Sequence, residues 1–127
     1  MEARSKGTIL VVEDEPRVAE TLRDILTLEG FQVETAENGR QALDSLTSGH
    51  RFDLIITDMK MPEMDGLELL REVQKLSKDL PVIVLTGYAT LKNGLQAIRE
   101  GVYDYVSKPF SVNLLIYVVH EALKDKA

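Results

Sequence analysis

Glu13, Asp14, Asp58, Thr86 and Lys108 are the residues of this chain whose types could do chemistry together. Three carboxylates brought side by side repel one another, because like charges resist shared ionisation. A divalent cation relieves that repulsion. Ligands that are all oxygen point to a hard ion, with Mg2+ the intracellular default. Thr86 adds a hydroxyl donor and Lys108 an ammonium. Metal, carboxylate nucleophile, hydroxyl and ammonium form a phosphoryl-transfer set, in which catalysis is positioning plus charge stabilisation. A carboxylate can itself become the nucleophile and form an acyl phosphate. Taken singly, each residue has a plainer reading. Asp14 is close enough to Pro16 to cap a helix, and Glu15 reads as a solvated first-turn residue that complements the helix dipole. Thr86 reads equally as a strand-end cap, and Lys108 as a surface lysine. What sets the group apart is its placement along the chain.

That placement depends on the elements around it. Thr8–Val12 is a continuous apolar run rich in β-branched residues, which suits a strand buried on both faces. Pro16 can open a helix whose apolar face is Val18, Leu22, Ile25 and Leu26, stopping near Gly30. Phe31–Thr35 reads as a second strand. Asn38-Gly39 marks a turn, and Ala42, Leu43 and Leu46 stripe a second helix. Leu54–Thr57 is a third strand, followed by a polar, Met-rich loop through Gly66 and a helix over Leu67–Leu76. Pro81–Leu85 is a fourth strand. A weaker helix over Ala89–Arg99 ends at Gly101. Tyr103–Val106 is a fifth strand and Val112–Leu123 a fifth helix. Five alternating units predict an α/β fold, a parallel sheet with helices on both faces. Right-handed crossovers favour the doubly wound, flavodoxin-like order 2-1-3-4-5, with function at the carboxyl ends of strands 1 and 3. The acids, Thr86 and Lys108 all fall on that edge. The expectation is one domain over 1–127, with its core at about 8–123.

Composition narrows the function classes. A net charge of −6 argues against direct nucleic-acid binding, which wants a basic surface. No cysteine is present, so thiolate nucleophiles, disulfides and Cys-based zinc sites are out. No apolar stretch is long enough for a membrane span, and residues 1–7 are polar, so the expected location is the cytoplasm. There is no repeat and no low-complexity tract. His50 and His120 read as surface or helix-end residues without a catalytic role. Neither GxxxxGK[ST] nor GxGxxG occurs, so ATP and dinucleotides have no motif support.

The runs ILVVEDEP, LIITDMKMPEMDG, VIVLTGYA and YVSKPF, in this order and at these separations, resemble the response-regulator receiver domain of two-component signalling. The resemblance extends from about Thr8 to Leu123. It implies that Asp58 accepts a phosphoryl group from a histidine kinase or histidine phosphotransfer protein. It implies that Asp14 ligates Mg2+ directly, Glu13 mainly through water, and the Lys60 backbone carbonyl as a further ligand. Thr86 matches the hydroxyl that moves to the phosphoryl group, Lys108 the lysine that pairs with it, and Tyr105 the aromatic switch residue. The Lys108-Pro109 bond is expected to be cis, which an X-Pro bond adopts at small cost. Met61-Pro62 and Asp65-Gly66 match a shaping loop in which Gly66 is expected to adopt a conformation other residues resist. Lys60 and Tyr88 match two positions that tune phosphoryl lifetime.

The resulting mechanism is a population shift, in which the phosphoryl group favours the form that offers it Thr86 and Lys108. Helix 4, strand 5 and helix 5 would then present a changed face to an output domain or protein, or to a second copy in a homodimer. In helix 5, Leu115, Val119 and Ala122 form a core stripe, but Leu114, Ile116, Tyr117 and Val118 are apolar too. Deep burial and a partner surface both fit that pattern. A Mg2+-dependent phosphatase using an aspartyl-phosphate is the rival reading. It would call for a second aspartate two residues after the nucleophile, where Lys60 stands. The wording TGYATLKNGLQAI and GVYDYVSKPF looks most like receivers attached to ATPase-type transcriptional activators or to sensor kinases, a fold-level analogy. Either the chain works alone, or it is the receiver of a longer regulator, in which a linker would begin at about Lys126-Ala127.

Overall fold

Five strands form one sheet: β1 (Thr8–Val12), β2 (Gln32–Ala36), β3 (Leu54–Asp58), β4 (Val82–Thr86) and β5 (Asp104–Ser107). Five helices alternate with them: α1 (Pro16–Leu28), α2 (Gly39–Thr47), α3 (Gly66–Leu76), α4 (Leu91–Arg99) and α5 (Val112–Asp125). The computed structural model describes residues 6–61, 63–77, 79–87 and 91–125. All strand pairs are parallel, in the order β2-β1-β3-β4-β5, as the alternation predicts.

Because strand side chains alternate between faces, the sheet feeds two cores. Leu10, Val12, Ile55, Val82 and Val84 pack with Ala42 of α2, Leu69, Leu70 and Val73 of α3, and Ala97 of α4. Ile9, Val11, Leu54, Ile56, Ile83 and Leu85 pack with Leu22 and Leu26 of α1 and with Leu115, Val118 and Val119 of α5. Each large side chain so buried contributes about 1.5–3 kcal/mol relative to exposure, which is why these strands need no polar face.

Register brings the chemistry together. Val12 pairs with Thr57, so Glu13 emerges level with Asp58. Asp58 pairs with Leu85, and Thr86 with Ser107, the residue before Lys108. The Lys108 backbone N–H also donates to the Thr86 carbonyl at 2.7 Å. The carboxyl edge of the sheet is therefore one short row of functional groups.

Some boundaries differ from the sequence reading for local reasons. β2 starts at Gln32, not Phe31, because the Phe31 N–H closes the end of α1 on the Leu26 carbonyl (3.1 Å). Gly30, at φ +100, makes that turn possible, and its N–H bonds the Thr27 carbonyl. Asn38-Gly39 is a helix start instead of a free turn: the Asn38 side chain accepts from the Gln41 N–H at 2.9 Å. β5 begins at Asp104. Ala89, expected to open the fourth helix, lies outside the described residues. No helix among those described is long and apolar enough to cross a membrane.

Candidate functional site

Asp58 closes β3, and the loop behind it is built to hold it there. The Thr57 hydroxyl donates to the Asp58 carbonyl at 3.0 Å. The Gly66 N–H donates to the Met59 carbonyl at 2.8 Å, turning the chain back on itself. Gly66 comes so close that a Cβ there would stand 2.6 Å from the Asp58 carbonyl oxygen. Its φ lies outside the left-handed region, so the expected conformational reason is corrected: this glycine answers a need for close approach. The only non-glycine residue with positive φ among those described is Glu63, at 68° in the same loop. The loop then enters α3 through a capping box. The Asp65 side chain accepts from the Glu68 N–H (2.8 Å), and the Glu68 side chain accepts from the Asp65 N–H (3.1 Å). Pro62 lies outside the described residues.

Glu13, Asp14 and Asp58 come together, with carboxylate oxygens all within 4.8 Å of one another. Lys108 reaches in from the far side of the sheet. Its Nζ donates to Glu13 Oε1 at 2.7 Å and to Asp58 Oδ2 at 3.1 Å. The Lys108-Pro109 bond is cis, as the motif leads one to expect. Glu13 is 3% exposed; its other oxygen accepts from the Glu15 N–H at 3.2 Å. The Lys60 N–H donates to Asp58 Oδ1 at 3.4 Å. Asp14 is exposed at the mouth of the site. It does not cap α1: the N-cap position belongs to Glu15, which makes no side-chain cap bond.

Three carboxylates and one ammonium leave a surplus of two negative charges, and the ligand atoms that the cluster's acidic residues offer are carboxylate oxygens. Burial raises the Glu13 pKa above the ordinary carboxylate value, and the Lys108 ammonium offsets only part of that rise. Burial pulls the Lys108 pKa down, but its hydrogen bonds to Glu13 and Asp58 outweigh this and leave it above the ordinary lysine value. An octahedral Mg2+ at about 2.1 Å from its ligands spans about 4.2 Å between opposite oxygens. The cluster is close to that span, so donor type, spacing and charge all suit a small divalent cation.

Thr86 is fully buried as the last residue of β4. It stands five positions before Leu91, the first described residue of α4, and its carbonyl accepts from the Lys108 N–H. Tyr105 pairs in register with Val84 and is half-buried against the α2–α3–α4 core. Tyr88, expected to flank the site, lies outside the described residues. Sequence reasoning passed over Thr57, although it is one of three buried polar residues among those described, beside Glu13 and Thr86. Its burial was legible only as part of an apolar run. The capping box did carry a signal: Asp65 and Glu68 stand at the spacing such boxes need.

α5 resolves into two faces. Leu115, Val118, Val119 and Ala122 are buried, whereas Leu114 is 50% and Tyr117 62% exposed. On α4, Leu95 and Ile98 are exposed too.

Comparison with known proteins agrees with this geometry. Residues 9–120 match the family model described as the response regulator receiver domain. The chain is 40% identical over 116 residues to the regulatory protein AtoC of Escherichia coli K12, covering 91% of this chain and 25% of that protein. It is 40% identical over 108 residues to the response regulator MprA of Mycolicibacterium vanbaalenii, covering 85% of this chain and 46% of that one. A receiver domain from Clostridium thermocellum superposes with a TM-score of 0.88 at 34% identity, covering 94% of this chain and 95% of that one. NtrX from Brucella abortus, solved in complex with ADP, also gives 0.88 at 34% identity, covering 94% of this chain but 27% of that one. The chain thus spans about a quarter to a half of the curated relatives named here.

Proposed function

Because the chain belongs to the response-regulator receiver family, we propose that it is a phosphorylation-controlled switch with Asp58 as its phosphoacceptor. The observation that carries this reading is the convergence of Asp58 with Lys108 at 3.1 Å, in a cluster shared with Glu13 and Asp14. In the transfer step an Asp58 carboxylate oxygen attacks the phosphorus of a phosphohistidine. The O–P bond forms as the P–N bond breaks, and the imidazole departs with the electron pair of that bond. The donor is a histidine kinase or a histidine phosphotransfer protein. A groove of about 400 Å³, mostly acidic, with Glu13, Asp14, Glu20, Asp24 and Glu37 against the single cation Arg23 in its lining, opens beside the cluster and leaves it open to approach.

Glu13, Asp14, Asp58 and the Lys60 backbone carbonyl are the residues that would hold Mg2+. When bound, that ion supplies charge neutralisation to the attacking carboxylate and the incoming phosphoryl group. The protein's own groups do the rest. Lys108, already held as an ammonium by its acidic neighbours, pairs with the phosphoryl oxygens. Thr86 turns its hydroxyl toward them, and Tyr105 follows into the space released. The phosphoryl group therefore stabilises the form in which these contacts exist. The readout surface is α4–β5–α5, where exposed Leu95, Ile98, Leu114 and Tyr117 suit an output domain, a partner protein or a second copy. The chain is a substrate of its donor and assists only its own phosphorylation and dephosphorylation. Lys60 two residues after Asp58 leaves the phosphatase alternative without its acid/base aspartate. Transfer from a phosphorylated histidine kinase, followed by gel mobility and by the size of the complex, tests partner and output together. A chain that takes no phosphoryl group from any donor overturns the reading.

A further inference from the structure

The C-terminal end of α4 is fastened to α3 by side chains that take no part in the phosphorylation site. Arg71 of α3 brings Nη2 to 2.7 Å and Nε to 2.8 Å of the same Glu100 Oε1. Gln74, one turn on, donates to the Glu100 backbone carbonyl at 2.9 Å. Gln96 approaches the other Glu100 oxygen at 3.5 Å. Glu100 itself is where α4 ends. The chain leaves through a Schellman turn, in which the Gly101 N–H bonds the Ile98 carbonyl and the Val102 N–H bonds the Ala97 carbonyl, both at 3.1 Å. Gly101 sits at φ +105, and a Cβ there would collide with Gln74 Nε2. Ala97 and Val102, on either side of the turn, are buried in one core. An exposed ion pair contributes little alone; here a charge pair, an amide and a glycine turn all act on one residue.

The other end of α4 follows Thr86 by five positions. At roughly 1.5 Å per residue, Leu91 lies about 13 Å from Glu100. A helix tied at one end and led from the other is a lever.

We propose that Arg71 and Gln74, acting through Glu100, are positioning residues of the switch: they hold the C-terminal end of α4 on α3, so that rearrangement at Thr86 turns α4 about Glu100. This rests on the switch reading given above. Turning about that point changes the tilt at which Leu95 and Ile98 face a partner, while Ala97 stays in the core.

The test is amide hydrogen exchange by NMR on the full chain with Mg2+, before and after acetyl phosphate, with intact mass read in parallel. In the wild type, exchange at Glu100, Gly101 and Val102 should stay within about twofold on phosphorylation, while Leu95 and Gln96 change by more. Arg71→Ala should raise exchange at those three amides about fivefold without phosphodonor, and phosphorylation should then move them further. Exchanging the pair, Arg71→Glu with Glu100→Arg, should restore the wild-type pattern, which a merely crowded surface would not require. Gln74→Ala should act in the same direction as Arg71→Ala. No change in either single variant overturns the clamp. Full phosphorylation that shifts Glu100–Val102 as much as Leu95 overturns the pivot alone, whereas a chain that gains no mass overturns the switch and the pivot with it.

Discussion

Lys108 and Glu29 show how single side chains carry this fold's electrostatics. Lys108 is drawn into a partly buried acid cluster and stays charged because two carboxylates outweigh its burial. Glu29, at the end of α1, has its pKa lowered, first by the hydrogen bond from His120 of α5 at 3.2 Å and then by the charges of Lys6 and His120. A carboxylate whose folded pKa is depressed contributes stability above its ordinary value and loses it as pH falls through the lowered one. His120→Gln should therefore move the Glu29 titration back toward the ordinary value, read from its carboxyl NMR shift, and make the acid edge of unfolding less steep. No movement of that titration would mean His120 does not hold Glu29. Gly66 makes a second residue-scale case. Gly66→Ala pushes a methyl into the Asp58 carbonyl, and should cost about 1–3 kcal/mol in denaturant unfolding, the usual range for overpacking. It should also slow Asp58 phosphorylation by displacing the loop.

Among elements, α5 is the one the sequence left open. Leu114 to Val119 is an unbroken apolar run, so period alone could not separate core from surface. The structure divides it, and the division predicts contrasting variants. Leu115→Ala should cost about 2–5 kcal/mol, and Leu114→Ala about 0.5 kcal/mol or less. Urea midpoints of the two variants measure this directly; equal costs would contradict the two-faced helix. α3 makes a similar prediction at its cap, where Asp65→Ala should cost about 1 kcal/mol. β1, β3 and β4 were legible because β-branched apolar runs buried on both faces are hard to mistake; β2 and β5, half-exposed at the sheet edges, carry a weaker signal. Strand boundaries were less legible. Phe31 looks like a strand residue by type, but its N–H is already committed to the end of α1. The pairing of Glu13 with Lys108, 95 residues apart, was legible only through strand order, and its 2.7 Å contact only in three dimensions.

At the scale of the molecule, two cores on opposite faces of one sheet leave the carboxyl edge as the place where distant segments meet. Strands 1, 3, 4 and 5 each deliver one part of the site there, and no single motif is sufficient. On the proposed function, the −6 net charge and the mostly acidic groove that opens from Glu13 and Asp14 would favour an electropositive donor protein, and the exposed apolar residues of α4 and α5 would offer a separate face for output. The central claim is that Asp58 is the acceptor. Incubation with Mg2+ and acetyl phosphate, followed by intact mass, tests it most directly. The account predicts a gain of one phosphoryl group that is lost in Asp58→Asn and depends on Mg2+. An unchanged mass, or a gain that survives Asp58→Asn, would contradict it.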